Sequence, residues 1–110
     1  MKITSKNEPY KFARQFTDTP GGRFEKNSQF SGESFRKKIE KYLKEYPNSP
    51  FYIDMEGVFT LGASFLDEAF AKLAKDLGKT KFNNLIIIDF RDDNWAKSKL
   101  DELIEKRISE

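Results

Sequence analysis

Asp54, Glu56, Asp67, Glu68, Asp89, Asp92 and Asp93 are the groups best placed to do chemistry, because each falls near the end of a predicted strand or the start of a predicted helix. Ligands of open α/β sheets bind beyond the carboxyl ends of the strands, which singles out Asp54 and Asp89. No Mg²⁺ or Ca²⁺ loop spacing links these acids, so helix caps and solvated loop carboxylates are the simpler account of them. The chain contains no histidine and no cysteine. That excludes Ser-His and Cys-His nucleophile pairs, a histidine general base, imidazole and thiolate metal ligands, and disulfides. Catalysis would fall to carboxylates, lysines or tyrosines, and the sequence reads as a non-enzymatic domain with no cofactor or metal.

Two other groups of residues invite a functional reading. Ser64 and Asp67 fit S-x-x-D, a capping box with aspartate in place of glutamate. The hydroxyl would accept from the Asp67 amide, and the carboxylate would favour the positive end of the helix. The other reading makes Ser64 a phospho-acceptor or ligand contact, and the two roles can coexist. Gly21-Gly22-Arg23 combines flexible backbone amides with a guanidinium able to fork onto an anion. It lacks P-loop spacing, however, and a tight turn with Arg23 on the surface or paired to an acidic neighbour is the competing reading.

These residues need elements to position them. Phe35, Ile39, Tyr42, Leu43 and Tyr46 recur at helical spacing and predict a helix from Ser31 or Gly32 to Tyr46, with Ser31 as N-cap. Phe51, Ile53 and Met55 alternate with Tyr52 and Asp54 as a strand would. Phe65, Leu66, Ala69, Phe70, Leu73 and Leu77 mark a second helix, with Gly78 at its left-handed C-cap. The near-continuous apolar run Leu85 to Phe90 reads as a strand covered on both faces. Asp92, Asp93 and Asn94 supply caps for a third helix whose core side is Ala96, Leu100, Leu103, Ile104 and Ile108. Phe90 and Trp95 read as core or rim packing rather than a stacking platform. Short strands are also expected at residues 2–5 and within 23–30, either side of the turn at Thr19-Pro20-Gly21-Gly22. Strand, helix, strand at this spacing is a βαβ unit with parallel strands and a right-handed crossover.

The chain has 110 residues, the size of one domain with one core. Its 35% charged residues, 20 basic and 18 acidic, are interspersed along the helices. That is the pattern of a solvated surface rather than a nucleic-acid footprint. No stretch approaches the roughly 18 apolar residues of a membrane span, and no signal-peptide pattern follows the basic start. Lack of cysteine makes a reducing cytoplasm the expected compartment.

Four segments, TPGGRF (19–24), FSGESFRKKI (30–39), IDMEGV (53–58) and ASFLDEAFAKL (63–73), occur in an order that resembles a STAS-like family of bacterial domains of unknown function. The resemblance runs from about Phe16 into the final helix. It implies an α/β fold with a small, mainly parallel or mixed sheet of about four strands flanked by about three helices. The broader STAS fold is known from anti-sigma-factor antagonists and the cytoplasmic tails of anion transporters. In the antagonists the loop before the second helix reads Asp-Ser-Ser/Thr-Gly, and a kinase partner with a histidine-kinase-like ATPase domain phosphorylates the serine after the aspartate. Laid onto this chain, the aspartate falls on Gly62, the acceptor on Ala63, the second hydroxyl on Ser64 and the glycine on Phe65. Only Ser64 keeps its chemistry, so the acceptor does not carry over.

The reading that follows is an interaction module. It presents loop 57–64 and the next helix start, through Ser64, Phe65, Asp67 and Glu68, to a signalling protein, with a histidine-kinase-like ATPase as one candidate. The alternative is a small-ligand or nucleotide site that holds its anion with Gly21, Gly22 and Arg23.

Overall fold

Tyr10–Lys11 (β1), Phe51–Asp54 (β2) and Ile86–Asp89 (β3) are the strands of the computed structural model, which describes residues 1–110. They pair in the order β1-β2-β3 and both pairs are parallel, with Tyr10 beside Ile53 and Phe51 beside Ile86. Side chains alternate across a strand, so Tyr10, Phe51, Ile53 and Ile86 share one face, and all four are buried. The helices cover that face. They are α1 (Phe12–Gln15), α2 (Gly32–Glu45), a continuous helix made of α3 (Ala63–Leu66), a π-helical turn (Asp67–Ala71) and α4 (Lys72–Leu77), then α5 (Lys79–Leu85) and α6 (Asn94–Ile108).

The core is a nest of rings centred on Phe35. Its ring lies 4.8 Å from Phe12, 5.0 Å from Phe16, 5.7 Å from Tyr10 and 5.8 Å from Phe70, mostly edge-on or tilted, as the ring quadrupole favours. Tyr42 is buried because its hydroxyl is satisfied: it donates to the Pro50 carbonyl and accepts from the Thr4 amide, each at 3.1 Å.

The Ser31-Gly32-Glu33 motif starts α2 and joins it to the π turn. Ser31 Oγ accepts from the Ser34 amide at 3.1 Å, and the Glu33 carboxylate accepts from the Glu25 amide at 2.8 Å. Gly32 is where the two helices touch. A Cβ there would stand 2.8 Å from Glu68 Cβ and 2.9 Å from the Phe65 carbonyl.

Several expectations need correction. The sheet has three parallel strands, not four, and two short helices, α1 and α5, accompany the three expected from apolar spacing. Residues 2–5 form no strand. Instead the Thr4 hydroxyl accepts from the Tyr52 amide at 2.9 Å and donates to the Pro50 carbonyl at 3.1 Å, standing in for main chain beside β2. Residues 23–30 are turns, closed by the Gly21 amide donating to the Phe30 carbonyl at 3.1 Å. β3 is covered on one face only: Ile86 is buried in the core, while Ile87, pointing the other way, is 38% exposed. Trp95 is 56% and Ile108 40% exposed, outside the Ala96, Leu100 and Ile104 stripe that α6 buries.

Candidate functional site

Loop 57–64 leaves β2 through Gly57, whose φ of +85° lies in the region open to glycine. The Val58 amide donates to the Met55 carbonyl at 3.1 Å, and the Phe59 amide donates to the Asp18 carbonyl at 2.8 Å. Leu61, 4% exposed, pins the far end into the core. Between these anchors the Phe59 ring is 80% exposed, the most open large apolar side chain of the chain. Ser64 is exposed in the first turn of α3.

Ser64 is not the cap. α3 begins two residues earlier than the capping box requires, with Gly62 at the N-cap and no side-chain cap bond. The Asp67 amide donates to the carbonyls of Ala63 and Ser64. Phe65 lies in the core at 1% exposure, and Glu68 is buried at 2% against Arg36. The Arg36 guanidinium donates to both the carboxylate and the carbonyl of Glu68, the latter at 2.8 Å. Asp67 accepts a fork from Arg107, at 3.0 and 2.8 Å, and a bond from Arg23 at 2.6 Å. Those donors, Arg107 first, hold its carboxyl below the ordinary range against the opposing effect of burial.

Arg23 therefore takes the paired reading. Its guanidinium serves Asp67 and lies 3.5 Å from Glu68, while the carbonyls of Gly22 and Arg23 receive the Gly32 and Glu33 amides that open α2. Gly21, Gly22 and Arg23 thus join the loop to the helix pair and offer no free guanidinium to an anion.

A second charged cluster gathers at the carboxyl ends of the strands. Arg91, in the loop after β3, forks onto Asp54 from Nε and one terminal nitrogen at 2.8 and 2.7 Å, and lies 3.1 Å from Glu56. Its backbone has φ +58°, uncommon outside glycine, and its amide donates to Asp89 Oδ1 at 2.9 Å. Lys11 Nζ stands 3.6 Å from Asp54. The Arg91 bonds, aided by the Glu56 amide and opposed by burial, bring the Asp54 carboxyl down to about 2. Asp92 stays exposed, and Asp93 caps α6 by accepting from the Ala96 amide at 3.0 Å. Sequence reading missed Arg91, Arg36 and Arg107, the partners that give these acids their roles. It also passed over Phe59, whose signal is an aromatic ring in a loop outside any helical or strand period.

The family model of the STAS-like domain of unknown function matches residues 31–92, from the α2 cap to the loop after β3. The chain belongs to this family. No curated protein and no solved structure matches it. The matched segment of this STAS-like domain holds the Ser31-Gly32-Glu33 contact, loop 57–64, the π turn and Arg91. No group of side chains has the arrangement of a metal site, and no helix is long and apolar enough to cross a membrane.

Proposed function

We propose that this STAS-like domain is a non-enzymatic interaction module, acting in a bacterial cytoplasm, that docks a signalling protein on loop 57–64 and the start of α3. The observation that carries the reading is Phe59, an aromatic side chain 80% exposed on a loop held by main-chain bonds at Val58 and Phe59 and by the buried Leu61 side chain beyond them. An anchored aromatic presents a large apolar contact at little entropic cost, the usual property of an interface hot spot. Ser64, five residues further along the chain, adds an exposed hydroxyl. Phe65, Asp67 and Glu68 serve the surface from below, by fixing the helix that carries it. The family resemblance suggests the partner class, a histidine-kinase-like ATPase or another signalling component.

The test is affinity capture from lysate of the native host with wild-type protein, Phe59→Ala and Ser64→Asp. A partner retained by wild type and lost by Phe59→Ala supports the reading. An unchanged set of captured proteins across all three sinks it. Intact-mass measurement of the protein from that host shows whether any hydroxyl carries phosphate.

A further inference from the structure

The face of the sheet opposite the helices carries two cross-strand rows, set by the register. Tyr52 pairs with Ile87, and Pro9, one residue before Tyr10, falls level with Tyr52, so Pro9, Tyr52 and Ile87 make an apolar row across all three strands. The next row toward the carboxyl ends is Lys11, Asp54 and Asp89. A groove of about 580 Å³ lies over this face, with Lys6 among its lining residues beside Pro9, and with Asn94 and Lys97 of α6 among them beyond β3. That volume is within the range of roughly 300–1,000 Å³ usual for small-molecule sites, and the groove reaches the strand ends where open α/β sheets bind ligands.

The charges in the groove are unequally committed. Asp54 is saturated by Arg91, with Lys11 near it, and Asp89 is held by the amide and guanidinium of the same Arg91. Lys6 and Lys97 make no ion pair or side-chain hydrogen bond with the rest of the chain. The lining has three cations against two carboxylates. The carboxylates are already answered, so the unspent charge is positive. Asn94 and Lys97, three residues apart on α6, lie on the same side of that helix.

We propose that this groove binds a small planar anion, an aromatic acid whose ring lies on Pro9, Tyr52 and Ile87 and whose charged group is held by Asn94 and Lys97, with Lys6 closing the opposite end. The apolar row supplies flat contact area, and the two free ammonium groups select an anion over its neutral isostere. This site is independent of loop 57–64 and stands whether or not that loop docks a partner.

The experiment titrates the isotope-labelled full chain with naphthoate, with the neutral naphthalenemethanol and with acetate, following backbone amide shifts by NMR. Naphthoate is expected to move the amides of Tyr52, Ile87, Asn94 and Lys97 saturably with a single Kd. Loss of the charge should weaken binding about tenfold, the value of one charge-assisted bond, and loss of the ring should weaken it at least as much through lost apolar contact. Lys97→Ala should weaken naphthoate by a similar factor, and Ile87→Glu should abolish it, with circular dichroism showing both variants folded. Three results overturn the proposal: no saturable shift at those amides, equal affinity for naphthoate and the alcohol, or a self-association that moves the same amides and so covers the face with a second copy.

Discussion

The Arg91 guanidinium closes on the Asp54 carboxylate across 37 residues of sequence, with both hydrogen bonds at 2.8 Å or less. Asp54 is 4% exposed, so the carboxylate is shielded, while the guanidinium that holds it stays 46% exposed to solvent. The pair ties the end of the central strand to the loop that leads into α6.

This pair sets a pH dependence. The folded-state pKa of Asp54, about 2, lies below its ordinary value of 3.8, so its stabilisation is complete above 3.8 and fades as pH falls through 2. The linkage is worth about 2 kcal/mol at neutral pH and roughly half that by about pH 3. Urea unfolding of wild-type and Asp54→Asn protein should show a stability gap that narrows over that interval. A gap independent of pH would show that the pair is not the source.

Gly32→Ala should destabilise the fold by about 1–3 kcal/mol, because the new methyl meets backbone of the π turn. Thermal unfolding measures it. Gly62→Ala, with open space around the glycine, is the matched control and should be near neutral.

Glu68→Ala leaves the Arg36 guanidinium buried without its carboxylate and should cost about 3–5 kcal/mol. Replacing both residues together, as Arg36→Met with Glu68→Leu, should recover most of that loss in denaturant melts. A double variant as unstable as the single one would contradict this account of the pair.

Phe59→Ala and Phe65→Ala separate surface from core. The first removes an exposed ring and should change stability by no more than about 0.5 kcal/mol, while the second opens a cavity and should cost about 3–5 kcal/mol. Equal costs would mean that Phe59 is packed rather than presented.

Much of the frame of this STAS-like domain was legible in the sequence. The α2 stripe, the Ser31 cap, the alternation of β2 and the Asp93 cap are local patterns with local causes. What escaped was mostly non-local. β1 has only two residues, and α5 buries a single side chain, Phe82, so neither writes a period. The run of isoleucines in β3 carries no sign that one face of the sheet is left bare. The site suffered more, because Arg36, Arg91 and Arg107 look like any solvated arginine until the fold brings them to Glu68, Asp54 and Asp67.

The π turn governs rotation along its helix. Phe65, Ala69 and Leu73, and beside them Leu66, Phe70 and Ala74, recur every four residues and all are buried. On a regular helix of 3.6 residues per turn such a stripe winds away by about 40° at each step. The Lys72 amide reaches back five residues to the Asp67 carbonyl, and the wider turn counters that winding, so both rows stay on the core. Wound as a regular helix, the same residues would turn α3 by about 100° relative to α4, carrying Ser64 and the end of the Phe59 loop around the helix axis. The heading of this surface is thus set by the one wide turn of its helix.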